Sequence, residues 1–501
     1  MENLTANIHL LWPEVLVAVL ALVVLTADFF LPAERKNALA AVAVAGLVGL
    51  IVFTLVFLAG KGATPLYGGI VMVDRFGLFF KVAFMALGVL VILASVDFVK
   101  RYLAHPGEYY AMVLFSILGM MLMVAATELL TAYIGLELLS FSLYILVSHS
   151  QGDPKSNEAG TKYILLGAFA SALLLYGISM VYGAVVQDGI AAPTTFQAIS
   201  THLQGRATMQ PMFMVGLVFI IAGLGFKVAA VPFHMWTPDV YEGAPLPITA
   251  YLAVGSKAAA FALVLRLFAT AFLPAIHEWQ MVVAILAAAT MTLGNLVALA
   301  QHNIKRLLAY SSIGQVGYLL VGLAALGLVG SNGGVTVSPG ASNAIILHLV
   351  GYGITNLGAF VAVIAFYNAT GKDEISDFAG LADRNPFIAM ALTVSLFSLA
   401  GLPIFAGFIT KFYLFTAAAQ ADMLWLAGLA IVNSLISVYY YLVVIRQMYI
   451  QPAQETTHVR VSWVTGGLLG VLVLGTVLIG VYPGPLVDAI QKATAVILPG
   501  A

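Results

Sequence analysis

Runs of about twenty consecutive apolar residues recur along nearly the whole chain, and no other feature limits its fold so strongly. They lie near 9–31, 38–59, 77–98, 109–127, 129–148, 160–183, 211–233, 246–269, 278–300, 307–329, 342–367, 386–418, 423–446 and 464–486. Each is long enough to cross a bilayer as a helix, and 386–418 is longer than one crossing needs. Of 501 residues, 62% are hydrophobic and 9% charged, against about 25% charged in soluble domains. No water-facing surface could be built from so few charges, so the solvent is lipid. Only helices and closed barrels satisfy their backbone there. The expected fold is an all-α polytopic membrane protein of about fourteen transmembrane helices.

Composition excludes several functions. The net charge of −1 offers nothing to nucleic acid. The chain has no cysteine, which excludes iron–sulfur ligation, c-type haem attachment, disulfides and thiol chemistry on this chain. No P-loop, dinucleotide fingerprint or H-E-x-x-H motif occurs. The histidines are scattered without metal spacing. The first apolar run has no basic flank before Arg35 and carries Glu14 and Asp28, unlike a secretory signal.

The basic residues fix an orientation. With the amino terminus outside, the inner loops hold Arg35, Lys36, Lys100, Arg101, Lys155, Lys305, Arg306, Lys372, Arg384, Arg446 and Arg460, and Lys162 opens a helix on that side. The outer side holds only Lys61, Arg75, Arg206 and Lys492. This is the positive-inside asymmetry, and it supports an even number of crossings. Both termini are then expected outside. Lys81, Lys227, Lys257, Arg266 and Lys411 remain within apolar runs.

Two runs are interrupted alike. Gly223-Leu-Gly-Phe-Lys-Val-Ala-Ala-Val-Pro-Phe-His234 contains Lys227 and Pro232, and Ala400-Gly-Leu-Pro-Ile-Phe-Ala-Gly-Phe-Ile-Thr-Lys411 contains Pro403. Proline breaks a helix, and a broken helix survives at membrane depth only against protein or a watery cavity. These are the seventh and twelfth spans, an odd number apart, so they run in opposite directions. That pattern predicts two inverted five-helix repeats, spans four to eight and nine to thirteen, with the breaks marking a transport site. Ordinary kinked helices are the alternative. The expected divisions are 1–105, 108–270, 275–447 and 448–501, within one integral membrane unit.

Lys257 lies about twelve residues into its span, too deep to snorkel easily. A central lysine costs roughly 2.5–3.5 kcal/mol on insertion. Glu137 sits mid-span in the fifth helix. Burial disfavours the charged form and an opposite charge favours it, so a buried amine near a carboxylate can exchange a proton when that charge moves. The reading is that Glu137 modulates Lys227 and that a proton passes by way of Lys257 to Lys411. A static Glu137–Lys227 pair is the alternative. His348 is a relay candidate beside a plain packing reading, and His234 a candidate for proton uptake at the inner face. Lys81 and Arg266 lie near outer helix ends, where snorkelling is expected. Glu14 and Glu128 lie near interfaces and carry no assignment.

Phe233-His-Met-Trp-Thr-Pro-Asp-Val-Tyr-Glu-Gly-Ala-Pro245 resembles the loop after the broken helix in the antiporter-like membrane subunits of respiratory complex I. Lys305-Arg-Leu-Leu-Ala-Tyr-Ser-Ser-Ile313 resembles the signature opening their tenth helix, and 156–172 is similar too. The resemblance runs from about 128 to 446. It implies a fourteen-helix fold with two inverted repeats. It also implies a proton-pumping subunit of NADH:quinone oxidoreductase in a bacterial inner membrane. NADH, FMN, iron–sulfur clusters and quinone would then sit on partner subunits. Glu137, Lys227, Lys257 and Lys411 match the family's fifth-, seventh-, eighth- and twelfth-helix charged positions. A lysine at 411 fits one of the sister subunits, where another carries a glutamate. The chain ends soon after the last run, so the long lateral helix of a third sister is not expected. Ile404 departs from the family, where a second proline is common, and a softer break is expected there.

Other readings share the same lysines: a subunit of a multisubunit sodium–proton antiporter, or of an energy-converting membrane hydrogenase. A structural anchor without an ion path is the reading from another class. Adjacent membrane-arm subunits and lipid are the expected partners.

Overall fold

The computed structural model describes residues 7–32, 35–206, 209–329, 335–453 and 457–497. Among these, 13 helices are long and apolar enough to cross a membrane, from Ile8–Phe30 to Trp463–Val481. They coincide with the expected spans except 386–418. That stretch is two half-helices, Pro386–Ala400 and Ala406–Gln420. Each is 15 residues long, or about 22 Å, short of a hydrocarbon core of about 30 Å.

Local chemistry sets the helix ends. Prolines 13, 106, 154, 211, 339 and 386 occupy first turns, where a missing N–H costs nothing. Side chains of Asp74, Glu128, Asp153, Asn303, Ser338 and Asn385 accept bonds from first-turn amides, satisfying donors that lipid would leave bare. Helices Pro154–Val186 and Pro339–Thr370 extend a few residues beyond their expected spans at both ends.

Glycine allows backbones to touch. A Cβ at Gly119 would stand 2.6 Å from the Leu139 amide nitrogen, which binds Pro106–Ala125 closely to Leu129–Val147. A Cβ at Gly294 would stand 2.6 Å from the Gly314 nitrogen, joining Ile276–Ala298 to Ile304–Ala324 in the same way.

Two connections form hairpins that the apolar pattern does not reveal. Strands β1 (Thr64–Leu66) and β2 (Val71–Val73) pair antiparallel, as do β3 (Gly327–Val329) and β4 (Val335–Val337). Gly68 and Gly69 turn the first hairpin at φ 74° and 89°. A short helix, Gly484–Thr494, follows the last span.

Leu246–Thr270, Ile304–Ala324 and Pro339–Thr370 are the most enclosed spans, whereas Ala38–Leu58 and Trp463–Val481 lie at the rim. The enclosed three carry Lys257, Ser312, His348 and Tyr352.

The snorkelling expected of Lys81 and Arg266 is corrected. Lys81 is 1% exposed and pairs with Glu14 at 2.5 Å, so Glu14 is buried as well. Arg266 is held bidentate by Asp74 at 2.7 and 2.9 Å and lies over the Phe76 ring. Each is met inside the protein by a carboxylate distant in sequence, Glu14 in the first span and Asp74 at the start of Arg75–Tyr102.

Candidate functional site

The two breaks differ in detail. Helix Pro211–Val228 ends in Ala229 at φ 66°, and the Val231–Pro232 peptide is cis. The chain then enters the short helix Trp236–Gly243, anchored by a bond from Trp236 Nε1 to the Phe226 carbonyl at 3.0 Å. In the second break Gly401 and Ile404 adopt φ 88° and 80°. Proline could not occupy that conformation at 404, so the second proline common in the family would not fit this break as it stands. The Ile404 carbonyl rests on Gly480, where any side chain would collide with it.

Lys227, Lys257 and Lys411 are all buried. Lys227 Nζ donates to Ser140 Oγ at 2.8 Å. Ser140 lies one turn beyond Glu137 on Leu129–Val147, and Glu137 accepts a bond from Ser171 Oγ. Glu137 is half-buried rather than fully enclosed, and Ser140, not the carboxylate, meets the Lys227 amine. The alternative of a static Glu137–Lys227 ion pair is therefore not what the structure shows: the amine bonds to Ser140 and the carboxylate to Ser171.

Lys257 follows a π-helical turn, Leu252–Ser256, inside the eighth span. Such turns disturb the regular ladder and expose carbonyls. Lys257 Nζ donates to Ser312 Oγ. Ser312 meets the Tyr352 hydroxyl at 2.8 Å, and Tyr352 donates to the Ala253 carbonyl of the π turn at 3.1 Å. The Tyr352 ring stacks on His348, centroids 6.3 Å apart. His348 Nδ1 lies 2.9 Å from Thr410 Oγ1, and its buried Nε2 has no partner. Thr410 precedes Lys411.

Lys411 Nζ donates to the Leu399 and Ala400 carbonyls at 2.8 and 3.2 Å and to Ser434 Oγ at 3.0 Å. Those carbonyls end a half-helix, where the peptide dipoles present negative charge to a cation. The Tyr318 ring lies 4.8 Å from the amine.

Among the described residues, no carboxylate lies within ion-pairing distance of these three amines. Lys81 and Arg266 are closed ion pairs. The three lysines are held by neutral hydroxyls and carbonyls, so each can bind or release a proton without stranding a buried carboxylate. Hydroxyls both donate and accept, so Ser312 and Tyr352 can pass a proton on from Lys257.

The lysines and His348 stand out in the sequence, whereas Ser140, Ser171, Ser312, Tyr352, Thr410 and Ser434 do not. Their signal is hydroxyls inside apolar runs, which in sequence looks no different from ordinary packing. No hydrogen-bonded chain joins Lys227 to Lys257 among the described residues. His234 lies half-buried beside the first break, and no hydrogen bond joins it to the Lys257 cluster among the described residues.

At the helix ends nearby, Asp239 and Glu242 face a basic cluster. Lys162 reaches Asp239 at 2.7 Å, and Arg306 reaches Asp239 and Glu242 at 2.9 and 3.0 Å. Lys305 pairs with Asp373 at 3.1 Å and donates to the Glu242 carbonyl. Burial pushes the Asp239 carboxyl up, but the bonds from Lys162 and Arg306 outweigh it and hold the group below its ordinary range.

Residues 126–437 match the family model described as NADH:quinone oxidoreductase/Mrp antiporter, TM. A Dehalococcoides mccartyi protein named NADH-quinone oxidoreductase subunit N is 42% identical over 495 residues, covering 98% of this chain and 99% of its own. A Moorella thermoacetica protein of the same name is 43% identical over 497 residues, covering 99% and 100%. A chain from the structure of Thermus thermophilus respiratory complex I with bound aureothin superposes with TM-score 0.77 at 29% identity, covering 96% of this chain and 99% of that one. The Mrp complex of a Dietzia species contains a chain with TM-score 0.82 at 20% identity, covering 97% of each, a likeness of fold alone.

Proposed function

This chain belongs to the NADH:quinone oxidoreductase/Mrp antiporter membrane family, and from that premise we propose that it is an N-type proton-translocating subunit of an NADH–quinone oxidoreductase. Full-length relatives at about 40% identity bear that name. The subunit sits in the membrane arm beside other membrane subunits and moves protons while its partners carry out the redox steps. The chain lacks cysteine, so iron–sulfur clusters belong to partners, and NADH, FMN and quinone are placed there with them.

The observation that carries the mechanism is the set of three buried amines without carboxylate partners. Glu137 sets the charge near Lys227 across Ser140. Lys257 exchanges a proton through Ser312 and Tyr352 toward His348. Thr410 joins His348 to the helix of Lys411, which delivers the proton from the second break. His234 assists uptake beside the first. The lattice of Asp239 and Arg306 fixes the first broken helix against the second half of the molecule.

The same reading includes fourteen crossings, the twelfth being the two half-helices, arranged as repeats over 108–270 and 275–447. Residues 1–105 and 448–501 flank them. Two features support the repeats: matching glycine contacts five spans apart, and matching broken helices. Both ends face the outer side of the bacterial inner membrane, as the basic-residue asymmetry requires.

The test is Lys257→Ala in the assembled complex in vesicles, with proton uptake followed beside NADH–quinone turnover. Loss of both with normal assembly supports this function. Unchanged pumping returns the chain to a structural role.

A further inference from the structure

The sequence places few basic residues on the side opposite the basic cluster, and the structure gathers three of them. Lys61, Arg75 and Lys492 line the mouth of a groove of about 650 Å³ between the first hairpin, the start of Arg75–Tyr102 and the terminal helix Gly484–Thr494. All three are exposed, and none makes an ion pair among the described residues. The groove's one carboxylate, Asp74, is already held by Arg266.

The groove continues into an apolar slot of about 200 Å³, with Phe79, Ala83 and Val350 lining both. The slot follows Arg75–Tyr102 from Phe79 to Leu90, passing Ala83 and Leu87. At 1.5 Å per residue this is about 16 Å, close to one leaflet of a hydrocarbon core about 30 Å thick. Its inner wall is Val254 and Ala258, which bracket Lys257 and the end of the π turn.

We propose that this groove binds an anionic glycerophospholipid, its phosphate held by Lys61, Arg75 and Lys492 and one acyl chain seated along Phe79–Leu90. Charge complementarity selects the headgroup, and the length of the slot matches the chain. The lipid then forms part of the wall behind Lys257.

The test uses the assembled complex, stripped of lipid and placed in nanodiscs of phosphatidylcholine with a minority of phosphatidylglycerol. Native mass spectrometry counts the lipid retained. One phosphatidylglycerol per chain is expected in preference to phosphatidylcholine. A basic residue near an anionic surface contributes roughly fivefold, so the triple variant Lys61→Gln, Arg75→Gln, Lys492→Gln loses roughly a hundredfold of that preference. Ala83→Trp fills the slot and expels the retained lipid while leaving the cations in place. Equal phosphatidylglycerol retention by wild type and triple variant overturns the proposal. So does a photocrosslinker attached at Ala83→Cys that captures a neighbouring subunit's helix instead of lipid.

Discussion

Lys257 and Tyr352 meet through a single hydroxyl, that of Ser312, which accepts from the amine and lies 2.8 Å from the tyrosine oxygen. This contact joins the central lysine of one half to the enclosed helix that carries His348. It gives the proposed path a direction that the lysines alone do not.

Removing that tyrosine hydroxyl tests the link. Tyr352→Phe keeps the ring stacked on His348 but deletes the oxygen that meets Ser312. Proton uptake by vesicles is expected to fall roughly a hundredfold, the lower end of the range for loss of a positioned proton-transfer group, with subunit assembly unchanged. Ser312→Ala should fall with it. The double variant should be no worse than either single one, since both break one chain.

The Lys81–Glu14 pair should behave oppositely. Lys81→Met strands a buried carboxylate, a loss of about 3–5 kcal/mol. Lys81→Met with Glu14→Leu should recover much of that. The midpoint of thermal unfolding in detergent reads the difference. Proton uptake per assembled complex should not change, because this pair is closed.

Close backbone contact makes a third prediction. Gly119→Val would push a side chain against the Leu139 backbone, and overpacking costs about 1–3 kcal/mol or more. The variant should assemble poorly, as judged by the yield of intact complex, whereas Gly466→Val, at a glycine with open space around it, should assemble normally.

The Asp239 lattice predicts an acid limb. Its folded carboxyl lies below the ordinary value of 3.8, through bonds from Lys162 and Arg306 that outweigh burial. A lowered carboxyl contributes stability that is full above the unfolded value and is lost as pH falls through the folded one. Thermal stability should therefore be insensitive to this group from pH 6 to 8 and decline below about pH 4. Asp239→Asn should be less stable at neutral pH and show a smaller acid decline.

The spans were legible because lipid demands long apolar runs, and both breaks were legible because proline and glycine punctuate them. Lys257 stood out because a charge at that depth is rare. The partners of Lys81 and Arg266 were hidden, since Glu14 and Asp74 are distant in sequence and periodicity says nothing about which helices face each other. Ser312 and Tyr352 were hidden for a different reason. A hydroxyl in an apolar helix usually bonds its own backbone, as Thr393 does, so residue type alone does not separate a relay from packing. The half-burial of Glu137 depends on which flank of its helix the neighbouring spans leave open, a matter of tertiary arrangement.

The most direct measurement is proton uptake against NADH–quinone turnover in vesicles holding the complex with Lys257→Ala, compared with Lys257→Arg. Alanine is expected to abolish uptake with assembly intact. Arginine, permanently charged and unable to release a proton, should fail as well. Normal uptake with either variant would contradict a path through Lys257.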